Sequence, residues 1–360
     1  MNVSYYLNFV EEKRLSMDEY GSELINYQKK NFPQLKINEF KPKLSPLSKL
    51  IFNFKLKMRY SRYISYPQQV KKILIQDIAH ICDHQYAHLF SSINSKIKII
   101  TVNDLVPIVL QKQIGHKPHL LNYSLKKLKY FDRIIAISET TKKDILKYTD
   151  CNEEKISVVM RGVDPLFNDY KINEKETCAK YNLPIKKIKI LVEGNIFYKN
   201  NQTAFNVLRE LLKTNRDIIF VKIGGKSDLT NFYDIKEKIY DLPFIEKKDL
   251  PEIYKICKIF LVPTIYTGGS LPILEAMKCG IPVVCSNAPA ILDVVGNSAL
   301  TNGIYDTFDY VKNITNLLNN EKLYSKKKLE GIERSKLFNI EKFHQQLVQI
   351  YNKEIKKINL

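Results

Sequence analysis

The residues best suited to chemistry in this chain lie just after runs of Ile, Leu and Val. "KIKILVEGN" (187–195) ends on Gly194 and Asn195, and Lys199 and Asn200 follow before the helical pattern "NQTAFNVLRELLKT" (201–214). The N-terminal amides of a helix and a nearby ammonium together hold a phosphate or diphosphate. The competing use of the same residues is a Gly-terminated turn followed by a solvated Lys. A second apolar run, "IFLVPT" (259–264), leads into Thr267-Gly268-Gly269-Ser270 and then "LPILEAMKCG" (271–280). Small residues in that loop let backbone amides approach a ligand closely. Glu275, in the second turn of the helix that follows, either faces solvent or accepts hydrogen bonds from a diol such as ribose.

These residues need a scaffold that brings strand ends together. In the second half, strand patterns at 187–195, 217–225, 259–264 and 281–287 alternate with helix patterns at 201–214, 249–258 and 271–280. Near-continuous aliphatic runs between helices mark a parallel sheet covered on both faces, a doubly wound α/β domain. The first half repeats the theme at 72–83, 96–105, 133–138 and 156–162, with a helix over 138–149 capped by Ser138. Two similar α/β domains imply a cleft, with ligands beyond the carboxyl ends of the strands. The expected organisation is an N-terminal domain over 1–168 and a linker over 169–186. A C-terminal domain follows over 187–338, and a terminal helix over 339–360 crosses back to the N-terminal domain.

A chain of 360 residues suits two domains. Its 44% apolar and 26% charged composition is that of a globular protein. No run of about 18 uncharged apolar residues is present, and the first residues acquire Glu and Lys too early for a secretory segment. The expected location is therefore the cytoplasm. Six cysteines without a C-x-x-C pair read as reduced core residues. His80, His84 and His88 step by four, as in a helical metal site. The apolar run ending near Asp83 makes them straddle a strand-to-helix turn instead, and no metal is expected. The net charge of +19 suits phosphate-bearing substrates or anionic lipid, and no nucleic-acid module signature accompanies it. Within 41–72, dense in Lys and Arg, Leu47, Leu50, Ile51, Phe54 and Met58 share one helical stripe. That segment either packs on the N-terminal sheet with a basic outer edge or attaches to an anionic membrane.

Taken together, these stretches resemble the retaining GT-B glycosyltransferases of family four, the group 1 transferases. "YTGGSLPILEAMKCGIPVV" is similar to the family pattern E-G-F-G-L-P-x-L-E-A-M-A-x-G-x-P-V-V, and "EGNIFYKNN" to its G-x(5)-K-N phosphate loop. "ISVVMRGVDPLF" resembles V-I-x-N-G-V-D, "TVNDLVP" resembles T-V-H-D-L-x-P, and "SMDEYGSELI" resembles the start G-I-x-R-Y-x-x-E-L. The likeness implies a GT-B architecture of two doubly wound Rossmann-like domains facing across a cleft. It implies a nucleotide-sugar donor, UDP- or GDP-linked, and a glycan or lipid-linked acceptor in cell-surface polysaccharide or lipopolysaccharide synthesis. Lys199 would pair with the donor diphosphate and Glu275 with the ribose. Gly194, Asn200, Thr267, Gly268, Gly269, Ser270 and Leu271 would complete the donor site. Asp83, His84, Asn103, Asp104 and Arg161 would line the facing wall, contributed by the N-terminal domain.

The resemblance also implies metal independence, and no Asp-x-Asp occurs in the chain. No cofactor or specific nucleic acid is implied. A peripheral location at the inner face of the membrane is compatible with it. Three positions depart from the pattern. Thr267 stands where the family has its first Glu, Asn103 where it has His, and Arg161 where it has Asn. The first of these leaves a non-catalytic glycosyltransferase-like subunit as the alternative reading.

Overall fold

The aliphatic runs form two all-parallel six-stranded sheets in a computed structural model, which describes residues 1–115, 118–168 and 171–358. The first unit comprises Met1–Met160 and Glu341–Leu360; the second comprises Arg161–Ile340. The first sheet contains β1 (Asn2–Tyr6), β2 (Lys36–Phe40), β3 (Gln76–Ile81), β4 (Ser95–Val102), β5 (Arg133–Ala136) and β6 (Ile156–Val158). Their spatial order is β2-β1-β3-β4-β5-β6. The second sheet contains β7 (Ile188–Glu193), β8 (Ile218–Ile223), β9 (Ile239–Asp241), β10 (Ile259–Val262), β11 (Val283–Ser286) and β12 (Leu300–Asn302). Its order is β12-β11-β10-β7-β8-β9. Both are Rossmann-like α/β units. Four strands, β1, β2, β9 and β12, go beyond those expected from the aliphatic pattern. β2, β9 and β12 are short edge strands that carry polar residues, as sheet edges do.

In the first unit, Tyr6, Ile81, Ile100 and Ile134 pack on one face of the sheet against Tyr66, Leu89 and Leu125. Val3, Tyr5, Ile78 and Ile99 pack on the other face with Phe343, Leu347 and Tyr351 of the last helix, Ile340–Ile358. Arg133 Nε donates to Glu354 Oε1 at 2.9 Å and anchors that helix near the sheet edge. In the second unit, Ile190, Val192, Phe220 and Leu261 meet Ala204, Leu208 and Ile314. The six cysteines are unpaired, and five are buried.

The division between the units differs from the expected one, which placed residues up to 168 in the first. Val163 N–H donates to the Phe338 carbonyl at 2.9 Å. A Cβ on Gly162 would stand 2.3 Å from the Ile340 backbone. Phe167 is buried edge-on against Tyr254. Residues 161–168 are therefore held by second-unit backbone. The expected linker is likewise structural, because the helix Glu174–Lys180 buries Cys178 and its Glu174 accepts from Lys189. Positions 169 and 170 of that linker lie outside the described residues, as do 359 and 360 of the expected terminal helix.

The single amphipathic stripe expected over 41–72 is also broken. Helices run over Pro46–Lys49 and Phe54–Tyr60, and Asn53 interrupts them with extended backbone, its side chain accepting from Leu56 N–H at 3.1 Å. An N-cap residue must leave helical geometry, so the stripe cannot continue through it. Met58 is buried, whereas Leu47, Leu50 and Phe54 remain exposed.

Beneath the first sheet, His80 on β3 is fully buried between Tyr351 Oη at 2.6 Å and Thr101 Oγ1 at 2.8 Å. Burial pushes its imidazole down to about 3. The unfolded chain binds this proton below about pH 6.5, so stability is intact above that pH and falls on acidification toward pH 3. The linkage relation gives a loss of about 2 kcal/mol from His80 by pH 5. Thermal melts between pH 7.5 and 5 should show this decline, and H80Q should reduce it, leaving the part due to His84 and His88, whose imidazoles burial also pushes down.

Candidate active site

The second unit gathers its polar residues where β7 and β10 lie side by side, pairing Ile190 with Ile259 and Leu191 with Phe260. The chain winds outward in opposite directions from these strands, which makes their carboxyl ends the switch point of a doubly wound sheet. After β7, Gly194 turns with φ of 80°, a conformation favouring glycine, and a Cβ there would strike Lys199 Cγ at 2.6 Å. Lys199 folds back so that its ammonium pairs with the Glu193 carboxylate. Asn200 adopts left-handed backbone, φ 59°, and starts the helix Asn201–Leu211.

Asn200 then ties the two loops together. Its Nδ2 donates to the Pro263 carbonyl at 2.9 Å and the Ile304 carbonyl at 3.1 Å. Ile265 N–H donates to the Tyr198 carbonyl at 2.7 Å, so the loop after β10 lies against the loop after β7. Beyond β8, Gly224 and Gly225 turn with positive φ, and a Cβ on Gly224 would approach Gly194 Cα to 3.1 Å. Two glycine turns thus pack against each other. Lys222 is buried beneath them and donates to the Gly225 carbonyl at 2.6 Å; burial pushes its ammonium down.

Thr267 does not project a carboxylate's chemistry into this site. Its hydroxyl donates to the Gly269 carbonyl at 2.6 Å and folds the loop Thr267-Gly268-Gly269-Ser270 onto itself. Ser270 caps the helix Leu271–Lys278 without a side-chain hydrogen bond. The first-turn amides of a helix have no intrahelical partner, and their dipole favours an anion. Glu275 on that helix is buried, and Tyr254 Oη donates to its Oε2 at 3.0 Å. Burial, then the charges of Glu275 and Glu193, push the Tyr254 phenol well up, so it stays a donor.

The first unit has its own switch point, between β1 and β3. Asp83, just past β3, is fully buried and accepts from Asn8 Nδ2 at 3.0 Å, from Gln85 N–H at 3.0 Å and from the Arg14 guanidinium. Burial pushes its carboxyl up, but the Arg14 guanidinium and the Gln85 amide outweigh this and hold it below the usual carboxylate range. His84 is buried beside it, Nδ1 at 3.5 Å from Asp83 Oδ1, and neither ring nitrogen makes a hydrogen bond. Burial pushes its imidazole down, which keeps it neutral. Asn103 Nδ2 donates to the Cys82 carbonyl at 3.2 Å and holds the loop after β4 against the loop after β3. Asp104 Oδ1 accepts from Val106 N–H at 3.1 Å.

The structure therefore brings together Gly194, Lys199 and Asn200 with the loop carrying Thr267 to Leu271, and separately Asp83, His84 and Asn103. Arg161 is a correction: it opens the second unit rather than belonging to the first. Its neighbour Gly162 packs closely on the Ile340 backbone and Val163 N–H donates to the Phe338 carbonyl, which carries Arg161 with them. Sequence reading missed four partners: Glu193, Tyr254, Asn8 and Arg14. Glu193 stands directly before the strand-end glycine and was legible there. Arg14 meets Asp83 across 69 residues, a contact without a local signal. His80, His84 and His88 lie on β3 and on the 3-10 helix His84–Ser91 that follows.

Comparison with known proteins agrees with this architecture. Residues 173–334 match the glycosyl transferases group 1 family. The chain is 24% identical over 256 residues to the serotype-specific mannosyltransferase WbdA of Escherichia coli, covering 67% of this chain and 31% of that protein. It is 34% identical over 110 residues to the O-antigen chain mannosyltransferase B of Escherichia coli, 31% of this chain and 29% of that one. The chain thus spans about a third of the length of these relatives. Among solved structures, sucrose-phosphate synthase from Thermosynechococcus elongatus superposes with a TM-score of 0.77 at 14% identity, covering 98% of this chain and 99% of that one. HepE of Anabaena, solved with UDP and glucose, gives 0.75 at 12% identity, covering 98% and 100%. The chain has the GT-B fold, and the stretch that matches the group 1 glycosyltransferases lies within its second unit.

Two substitutions probe this geometry. G194A should strain the positive-φ turn and press on Lys199, costing about 1–2 kcal/mol in denaturant unfolding. Y254F removes a hydrogen bond to a buried carboxylate and should cost about 2 kcal/mol in denaturant unfolding.

Proposed function

We propose that the protein transfers a sugar, with retention of anomeric configuration, from a UDP- or GDP-linked donor to a glycan or lipid-linked acceptor. The observation that carries this reading is the junction of the Gly194–Asn200 loop with the loop before Leu271, which sets an ammonium and unpartnered helix amides at one switch point. Relatives named for O-antigen mannosyl transfer, and one named for galactosyl transfer to a diphosphoundecaprenol-linked sugar, support a place in surface-polysaccharide or lipopolysaccharide assembly. A structural neighbour solved with UDP-glucose supports a nucleotide-sugar donor.

In this reading the donor diphosphate takes Lys199 from Glu193, and helix amides near Gly269, Ser270 and Leu271 share its charge. Glu275 binds the ribose. The bond from the anomeric carbon to the diphosphate breaks as the acceptor oxygen bonds the same face of the sugar, and the departing phosphate takes the hydroxyl proton. The chain's contribution is to stabilise negative charge on the leaving group and to align the reactants. Asp83, His84, Asn103 and Asp104 are assigned to the acceptor, with neutral His84 as a hydrogen-bond partner. Arg161 adds positive charge on the second unit. No cofactor, metal or specific nucleic acid has a role in the proposal.

The basic segment 41–72 suits peripheral contact with an anionic membrane from the cytoplasmic side. No helix among the described residues is long and apolar enough to cross one.

Nucleotide release from a panel of UDP-, GDP- and ADP-sugars, with candidate acceptors, tests the proposal. Turnover with one donor is expected, and binding and turnover of none would overturn it. K199A should lower kcat/KM about 100-fold, the usual cost of one charge-stabilising donor. Activity should survive chelation by EDTA. The second reading, a non-catalytic subunit, draws on Thr267: a gain of activity in T267E would favour it, whereas a loss means that threonine serves the native sugar.

A further inference from the structure

Among the described residues two lysines are buried, Lys189 at the start of β7 and Lys222 near the end of β8. Around Lys189 the ammonium finds Glu174 Oε1 at 3.1 Å and the carbonyls of Ile185 and Lys187 at 2.9 and 3.3 Å. Lys222 is less well supplied. Its ammonium donates one hydrogen bond among the described residues, to the Gly225 carbonyl at 2.6 Å, and Asp241 Oδ1 stands 3.7 Å away. A parallel strand covered on both faces ordinarily carries an aliphatic residue at such a position, and a buried ammonium is costly unless its partners are good.

What the ammonium holds is a turn of high backbone freedom. Gly224 and Gly225 have φ of 93° and 107°, a region that favours glycine. Lys222 grips the turn at Gly225. Asp241, its register partner on β9, grips it two residues on, accepting from Ser227 N–H at 2.8 Å and from Ser227 Oγ at 2.6 Å. Between these two holds, the Lys226 carbonyl accepts from Asn195 Nδ2 at 2.6 Å. A Cβ on Gly224 would lie 3.1 Å from Gly194 Cα, and a Cβ on Gly194 would strike Lys199. The turn after β8 therefore abuts the loop 194–200 at two successive residues, Gly194 and Asn195.

We propose that Lys222 is a positioning residue: through the turn 224–227 it sets the loop 194–200, and with that loop the place of the Lys199 ammonium. Lys222 touches no substrate in this role. An aliphatic side chain at 222 would leave the Gly225 carbonyl without its donor and let the turn drift from Gly194 and Asn195. The consequence for turnover rests on the transferase reading. The consequence for the loop does not.

The test uses the full chain and two variants. K222M keeps the length of the side chain without its ammonium, and N195A cuts the strut from the exposed side and leaves the buried lysine in place. Thermal melts check folding, and N195A carries the exchange test alone if K222M does not fold. Hydrogen exchange of the amides at 194–200 should rise about tenfold in each variant, with exchange in the first unit unchanged. Unchanged exchange at 194–200 in the folded variants overturns the proposal. With the donor that turns over, K222M should lower kcat/KM about tenfold, because a misplaced charge-stabilising group slows the reaction. In a K199A background the same substitution should cost less than about twofold, since residues that act through one group are not additive. Equal losses in both backgrounds mean that Lys222 does not act through Lys199, and they overturn the proposal too. A silent donor panel together with faster exchange at 194–200 would sink the transferase reading and leave the positioning role standing.

Discussion

The pairing of β7 with β10 is the constraint on which the second unit depends. Parallel strands cannot be joined by hairpins, so every connection crosses a face of the sheet with a helix. From this central pair the order runs outward through β8 and β9 on one side and β11 and β12 on the other. The connections leaving β7 and β10 therefore run to opposite sides of the pair, while their strand-end loops meet where Ile265 N–H donates to the Tyr198 carbonyl. Asn200 stabilises that arrangement by donating to backbone carbonyls of two other segments. The glycines at 194 and 224 let two neighbouring turns approach more closely than side chains would permit.

The same winding principle gives the first unit a switch point of different chemistry. Burying the Asp83 carboxylate is costly, and Arg14, Asn8 and the Gln85 amide together offset that cost. A neutral, unpartnered imidazole at His84 beside it leaves hydrogen-bonding capacity in a buried place, which is otherwise unfavourable. One unit thus offers cations and amides at its strand ends. The other offers a carboxylate and an imidazole.

The charge of the chain has a local meaning as well as a global one. Between residues 41 and 72 it is uncompensated by any carboxylate in the segment, and it flanks apolar side chains that the fold leaves open. A continuous amphipathic helix would have presented one stripe; the break at Asn53 turns it into the wall of a groove.

Much of this was legible from residues alone, because strand runs, helix caps and strand-end glycines are local signals. The α/β class, the phosphate-loop candidates Gly194, Lys199 and Asn200, and the capping role of Ser138 follow from patterns within about a dozen residues. Local pattern also suggested the positions of His84 and Asn103 after strands. Only tertiary structure decided which of these groups meet. It paired Lys199 with Glu193 and buried Glu275 against Tyr254. It brought Arg14, just before the helix Leu15–Asn31, to Asp83 from far away in sequence, and it moved Arg161 into the second unit. The reason is physical: periodicity records which face of an element is apolar, whereas a contact between side chains depends on strand order and on backbone hydrogen bonds between distant segments. Residues 161–168 show the difference, since their sequence reads as the end of one domain while their hydrogen bonds belong to the other.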